Sequence, residues 1–510
     1  MKDIFERIKG RKIAIWGVGI LQTDLEGLFP FGRISYYIDD DIQDKNLISV
    51  SREDICSSKL FAQEKIQDIF FIICADDQDY AASSLCGMGY AKEDYVFGEE
   101  LLINYDIYKK IQDQKISIWG IGNTYSYFEE EIKEYLPKVE NFIVSNKTIE
   151  NFADRPVIDL KIWEKYGKET YIVVASIYYN EIYKALTDSG QKPGKDFIHL
   201  YTLISLGNLS TRIHAAYQFD DRRKNYKDLL VILAGYKEFV WESVFPRIKA
   251  YVPAEIDVCV VTSGLVNDQL REMCHYYQWS YMSTEKNHVS LVVNMAIWLH
   301  PDAEYIFKID EDIFVTKGVF ESMKKTYIQV QENSPYEVGF VTPLIPVNGY
   351  GYVRVLEIFR SEKLWEERFG ELKYTDCYCH HRTVHDNPQA ARFLWGDDNP
   401  QMESLESMAE RLRNLPFSYS VCPIRYSIGF ILFRRNDWIR MGMLPVWEHS
   451  NMGSDEIHLC KYCLNQARVM IVDENSIVGH LSYGPQHKEM ELFYREHREK
   501  FLLPKGDENE

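Results

Sequence analysis

One pattern occurs twice in the N-terminal part of the chain, and this duplication constrains the fold more than any other feature. Lys12-Ile13-Ala14-Ile15-Trp16-Gly17-Val18-Gly19 returns as Lys115-Ile116-Ser117-Ile118-Trp119-Gly120-Ile121-Gly122. A second apolar run follows each copy, Ile69-Phe70-Phe71-Ile72-Ile73-Cys74-Ala75 and Tyr171-Ile172-Val173-Val174-Ala175. Asp94-Tyr95-Val96-Phe97 is then answered by Asp196-Phe197-Ile198-His199. Each copy reads as strand, glycine turn, helix and strand, followed by a second strand, helix and strand. Such a repeat has to be recognised before a fold class is assigned. Short β-rich runs alternating with helical stretches predict a parallel, doubly wound α/β sheet.

Two Rossmann-like modules are therefore expected at residues 1–102 and 103–205. The polar run from Asn208 to Tyr226, ending in Asp220-Asp221-Arg222-Arg223-Lys224-Asn225, reads as a linker or connecting helix over 206–226. A third αβ region is expected at 227–500, interrupted between Gly349 and Pro416 by an insertion of weak periodicity. Residues 501–510, ending Gly506-Asp507-Glu508-Asn509-Glu510, read as a disordered tail.

A Gly-x-Gly turn after a strand lets a phosphate approach backbone N–H groups at a helix start, so Gly17 and Gly19 are candidate cofactor-binding residues. Asp39, in Ile38-Asp39-Asp40-Asp41, stands where a ribose can be held. The third glycine of the dinucleotide fingerprint is replaced by Gln22 in one copy and Tyr125 in the other, and the second copy has Ser145-Asn146 in place of the acids. A tight βα turn explains the glycines equally well. The repeats resemble modules found fused to bacterial surface-polysaccharide enzymes, and that resemblance suggests an accessory role and does not suggest a dehydrogenase.

With 510 residues the chain is too long for one ordinary core. A net charge of −19 argues against a nucleic-acid partner, which would require clustered Lys and Arg. No run approaches the roughly 18–20 apolar residues of a membrane span, and Met1-Lys2-Asp3-Ile4-Phe5-Glu6 lacks the apolar core of a secretory signal. The ten cysteines then read as reduced thiols. The expected compartment is the cytoplasm, with peripheral association at the inner face of the membrane left open.

Most of the chemistry lies in Tyr305-Ile306-Phe307-Lys308-Ile309-Asp310-Glu311-Asp312. An apolar strand ends in acids at its C-terminal edge, where open αβ sheets bind ligands. Residues two apart in extended chain share a face, so Asp310 and Asp312 converge while Glu311 points away. Two such carboxylates can hold a hard divalent cation and leave positions for water and phosphate oxygens. A solvated acidic turn is the bland alternative.

From Lys227 to His487 the sequence resembles the GT-A glycosyltransferases, of a family-2-like kind found in bacterial surface-polysaccharide synthesis. Four features carry the resemblance: the opening strand and turn Leu229-Leu230-Val231-Ile232-Leu233-Ala234-Gly235-Tyr236; Asp310-Glu311-Asp312 after a helix containing Asn294; Ser427-Ile428-Gly429-Phe430; and Gly453-Ser454-Asp455-Glu456-Ile457-His458-Leu459. The resemblance implies a GT-A domain that moves a sugar from a nucleotide-diphosphate donor to a hydroxyl on a saccharide or lipid-linked saccharide. It implies donor contacts from Ala234, Gly235, Tyr236, Asn294, Glu311 and Gly429. It also implies a divalent metal, Mn²⁺ or Mg²⁺, on Asp310 and Asp312, with His480 of Val478-Gly479-His480-Leu481 as a further ligand. The acid pair supplies the base in inverting members. Here the order is Asp-Glu where Glu-Asp is commoner, so Glu456 is placed as the base with Asp455 beside it. A retaining outcome stays open.

Cys377-Tyr378-Cys379-His380-His381 with His385 fits no common zinc framework, and Cys460 and Cys463 read as core-facing thiols of a helix. Two other function classes remain. A sugar-phosphate nucleotidylyltransferase would open with a Gly-rich loop that Tyr236-Lys237-Glu238-Phe239 does not provide. A nucleotide-sensing or docking protein would act through the N-terminal repeats.

Overall fold

The computed structural model describes residues 7–8, 10–28, 34–42, 47–64, 66, 68–75, 77–103, 111, 114–133, 135–166, 169–376, 381–446 and 453–504. The chain forms two compact units, Met1–Ser210 and Thr211–Glu510.

In the first unit, β1 (Lys12–Trp16), β2 (Ile34–Ile38), β3 (Ile55–Cys56), β4 (Ile69–Ile73) and β5 (Tyr95–Phe97) form a parallel sheet of order β3-β2-β1-β4-β5. The second copy supplies β6 (Ile116–Trp119), β7 (Val139–Val144), β8 (Asn151–Phe152), β9 (Arg155–Asp159), β10 (Tyr171–Val174) and β11 (Phe197–His199) in the order β11-β10-β6-β7-β9-β8. Only β8 is antiparallel, against β9. Each sheet winds outward in both directions from the first strand of its copy. Residues of β4 such as Ile69, Phe70 and Phe71 are completely buried, as expected of strands covered on both faces.

The repeated glycines have a packing reason. Gly17 and Gly120 adopt φ +97° and +116°, and a Cβ on either would run into the backbone of Ala75 or Ala175 at the end of the neighbouring strand. The loop amides are also engaged. Val18 N donates to Asp39 Oδ2 at 2.9 Å and Gly19 N to Gln22 Oε1 at 3.3 Å, while Asp39 Oδ1 accepts from Asp41 N at 2.9 Å. Gly17, Gly19 and Asp39 thus lie together in one turn, where the Val18 and Gly19 amides donate to side chains of the same module.

The first copy's helix Ile20–Leu28 carries Asp24, fully buried against the second copy. Its carboxylate accepts from Tyr179 Oη and Thr202 Oγ1, each at 2.6 Å, and from His199 N at 3.2 Å. Burial pushes the Asp24 carboxyl up to about 6, with the three hydrogen bonds opposing, and holds the His199 imidazole down to about 4. The raised carboxyl loses stability for the unit as pH rises from about 4 to 6. The depressed imidazole gains stability over nearly the same window, so the two terms offset. Asp24→Asn keeps all three bonds, because the Tyr179 hydroxyl can accept from the new amide. The variant is expected to gain about 2–3 kcal/mol at pH 7 and to become less stable as pH falls from 6.5 to 4. Hydrogen exchange of peptides from residues 171–205 reads both effects; lower protection than wild type at pH 7 would contradict this account.

The second unit is built on a nine-stranded mixed sheet. Its strands are β12 (Tyr217–Asp220), β13 (Asp228–Leu233), β14 (Ile256–Ser263), β15 (Ser280–Thr284), β16 (Tyr305–Asp310), β18 (Glu337–Leu344), β19 (Tyr419–Cys422), β20 (Phe430–Arg434) and β21 (Arg468–Ile477). The order is β12-β15-β14-β13-β16-β20-β18-β21-β19, and β17 (Ile313–Phe314) pairs with β22 (Gly479–His480) in a separate ribbon. Leu229, Leu230, Val231 and Ile232 of β13 are fully buried, each stabilising the fold by about 1.5–3 kcal/mol.

Part of the expected linker belongs to this sheet. Helix Leu200–Ile213 runs into 206–226, and β12 then pairs antiparallel with β15. The segment is polar because β12 is an edge strand, with Asp220 fastened by both Arg271 Nε and Nη2 at 2.6 and 2.8 Å. The insertion at 349–416 holds helices Gly351–Phe359, Glu362–Phe369, Arg382–Asp386, Pro388–Leu394 and Leu405–Arg413. Residues 377–380, which carry most of the weighed zinc ligands, and 505–510 of the expected tail lie outside the described residues. Among the described residues no helix is long and apolar enough to cross a membrane.

Candidate functional site

β13 and β16 are parallel neighbours with Leu233 paired to Asp310. The loop leaving β13 and the acids leaving β16 therefore reach the same sheet edge. On β16, Lys308 and Asp310 share a face, and Lys308 Nζ donates to Asp310 Oδ1 at 2.6 Å and to the Ile428 carbonyl at 3.1 Å. Beyond the strand, Asp312 is buried, and Lys237 Nζ from the β13 loop donates to its Oδ2 at 2.5 Å. Burial alone would raise the Asp312 carboxyl, but Lys237 and then His480 hold it below the ordinary range. Burial prevails at Asp310 and raises it, against Lys308.

The short ribbon returns His480 to these acids. Ile313 of β17 pairs with His480 of β22, and Leu481 N donates to the Asp312 carbonyl at 3.2 Å. His480 Nδ1 lies 3.0 Å from the Val347 carbonyl. A carbonyl can only accept, so Nδ1 carries a proton, and Nε2 faces Asp312 Oδ2, 3.6 Å away. Either a proton on Nε2 or a cation between the ring and the carboxylate satisfies this pair.

Helix Ser454–Asn465 brings the second acid pair. It follows Gly453 (φ +87°), with Asp455 and Glu456 in its first turn, where the helix dipole favours anions. Glu456 accepts from Arg425 Nε. Lys308 stays charged despite burial because Asp310, then Asp455, and further off Glu456, act on it. Strand end and helix start thus have Lys308 as a common charged neighbour. Burial raises the Glu456 carboxyl, with Arg425 opposing.

Gly429 caps the arrangement: its carbonyl accepts from Asp310 N at 2.9 Å, and its Cα face lies against Ile313 and Asp310.

The expected donor contacts divide. Glu311 does point away from the acid pair, and its carboxylate is taken up by the β13 loop. It accepts from Gly235 N and Tyr236 N at 2.9 Å, Lys237 N at 3.0 Å and Trp241 Nε1 at 2.6 Å. The amides of Gly235 and Tyr236 are therefore committed to Glu311. The Tyr236 ring stays 59% exposed, with its hydroxyl donating to the Ser263 carbonyl at 3.0 Å. Ala234 is buried, its N–H on the Val261 carbonyl. Asn294 is not brought to the edge: it has no exposure, and its amide ties Trp438 Nε1 and Leu444 N and O.

Four residues complete the site without having been singled out in the sequence: Lys237, Lys308, Arg425 and Tyr483. The Tyr483 ring meets His480 edge-on at 5.0 Å and lies 4.6 Å from His385 of the insertion. His385 in turn places Nδ1 2.6 Å from Asp386 Oδ1. A buried lysine in an apolar strand was the one available signal, since a buried charge needs a partner. Cys460 and Cys463 are buried in helix Ser454–Asn465 and free.

Among the described residues no three His, Cys, Asp or Glu side chains form a complete metal-binding group. Asp312 and His480 nevertheless fit a divalent cation. The imidazole is oriented by a backbone carbonyl, as ligating histidines commonly are, and Mg²⁺-like ions often use one or two protein groups plus phosphate oxygens.

No family model and no curated protein sequence matches the chain. Among solved structures it is similar to GalNAc-T7 with UDP, GalNAc and Mn²⁺, at 11% identity and TM-score 0.30, over 56% of this chain and 53% of that one. It is similar to mannosyltransferase PcManGT from Pyrobaculum calidifontis in complex with GDP-Man and Mn²⁺, at 12% identity and TM-score 0.29, over 57% and 66%. It is also similar to CMP:2-keto-3-deoxy-manno-octonic acid synthetase with CTP, at 12% identity and TM-score 0.28, over 53% and 99%. The chain spans about half to two thirds of the length of the first two.

Proposed function

We propose that the second unit is a glycosyltransferase, moving a sugar from a nucleoside-diphosphate sugar to a hydroxyl of a saccharide or lipid-linked saccharide. The observation that carries this reading is the meeting, at one sheet edge, of Asp310, Asp312 and His480 with the helix-borne acids Asp455 and Glu456. Asp312 and His480, with Asp310 beside them, would hold Mn²⁺ or Mg²⁺. When bound, such an ion supplies Lewis-acid charge opposite a departing diphosphate.

The chain's own groups do the rest. The exposed Tyr236 ring offers a face for a nucleobase. Lys308 neutralises Asp310 and separates it from the Asp455–Glu456 pair. Glu456, held by Arg425, takes the proton of the acceptor hydroxyl as it attacks, and inversion at the anomeric carbon follows. Tyr483 and His385 wall the same side and would meet the acceptor. The duplicated half, residues 1–102 and 103–205, is read as two Rossmann-like modules in an accessory role.

A donor panel decides this reading: nucleoside-diphosphate release from UDP-, GDP- and dTDP-sugars, with Mn²⁺ or with chelator. Release that needs the cation supports it. Pyrophosphate release from a nucleoside triphosphate and a sugar phosphate, without nucleoside-diphosphate release, would assign a nucleotidylyltransferase instead.

A further inference from the structure

Asp310 and Asp312 each already have an ammonium partner, but the two lysines are held differently. Lys308 is 5% exposed and fixed twice, to Asp310 Oδ1 and to the Ile428 carbonyl. Lys237 is 24% exposed, and its ammonium binds Asp312 Oδ2. Its backbone N–H is fixed on Glu311 at 3.0 Å, so the root of the side chain is anchored independently of its ammonium. The ammonium lies on the same Asp312 oxygen that His480 Nε2 faces at 3.6 Å. A dication and an ammonium on one oxygen repel, and more strongly where burial lowers the effective dielectric constant.

We propose that Lys237 is the exchangeable counter-ion of this site. It holds Asp312 until a divalent cation takes that oxygen, and then turns to the diphosphate of the donor. Cation alone has to displace an ion pair, whereas cation and nucleotide together give the displaced ammonium a new anion. The two ligands are thereby coupled, each tightening the other. Lys237 is a donor-binding residue in this scheme, and the scheme rests on the glycosyltransferase reading of the site.

The test is Mn²⁺ binding to the full chain, followed by the electron paramagnetic resonance signal of free Mn²⁺, with and without UDP or GDP. Lys237→Met is expected to bind Mn²⁺ alone about tenfold more tightly than wild type and to lose most of the further gain from nucleotide. Lys237→Arg, which keeps the charge, is expected to stay as weak as wild type without nucleotide. A merely structural lysine would not produce a gain of affinity. Mn²⁺ affinity in Lys237→Met equal to or below that of wild type overturns the exchange, while cation and nucleotide binding abolished by Asp312→Asn would still uphold the site. No Mn²⁺ binding in any sample, with or without nucleotide, rejects the cation site and the exchange together.

Discussion

Asp312→Asn is expected to lower nucleoside-diphosphate release by about 10²- to 10³-fold with little loss of stability. The asparagine keeps the shape of the side chain and leaves the Leu481 N–H on the backbone carbonyl. What disappears is the negative charge that faces His480 and holds Lys237. Loss of one preorganised electrostatic group in a buried site typically costs two to three orders of magnitude in kcat. The fold tolerates the change because Lys237, being partly exposed, can turn to water. Turnover and a thermal melt, measured side by side, check the two halves of this expectation. Unchanged turnover would remove Asp312 from the chemistry.

Glu456→Gln is expected to lower kcat by about 10²- to 10⁴-fold, the usual span for a positioned general base, with KM for the donor nearly unchanged. The glutamine retains the bond from Arg425 but cannot take a proton. Because burial raises the Glu456 carboxyl and Arg425 opposes that shift, the acid limb of the wild-type kcat profile falls above the ordinary glutamate range. Arg425→Ala removes the lowering influence and should move that limb to still higher pH. A limb that stays put in Arg425→Ala would point to Asp455 as the base. Equal losses in kcat and donor affinity for Glu456→Gln would point to a binding role.

The sequence made the sheet edge legible because backbone periodicity is local. Asp310 ends an apolar strand and Asp312 lies in the turn just beyond it, and the spacing alone predicts that the two acids turn the same way. The β13 strand and the helix start at Asp455 were legible in the same way. Pairing between distant segments was not. Lys237 reaches Asp312 only because β13 and β16 are adjacent and parallel, and no pattern in Tyr236-Lys237-Glu238 announces that neighbour. Glu311 is expected to point away from the pair, but the sequence does not show that the β13 loop amides take up its carboxylate. Asn294 shows the same limit from the opposite side. Its helix was recognisable, but which face would be buried depended on Trp438 and Leu444, far away in the chain. The repeat glycines were visible as a motif, whereas the reason for them, the close approach of Ala75 and Ala175, is tertiary.

The central claim is that the edge formed by Asp310, Asp312 and His480 binds a nucleoside diphosphate through a divalent cation. Calorimetric titration of the full chain with UDP, GDP, ADP and dTDP in the presence of Mn²⁺ tests it most directly. The predicted result is one-to-one binding of at least one of the four, lost with chelator and lost in Asp312→Asn. Binding that persists unchanged in both conditions, or no binding by any of the four, would contradict it.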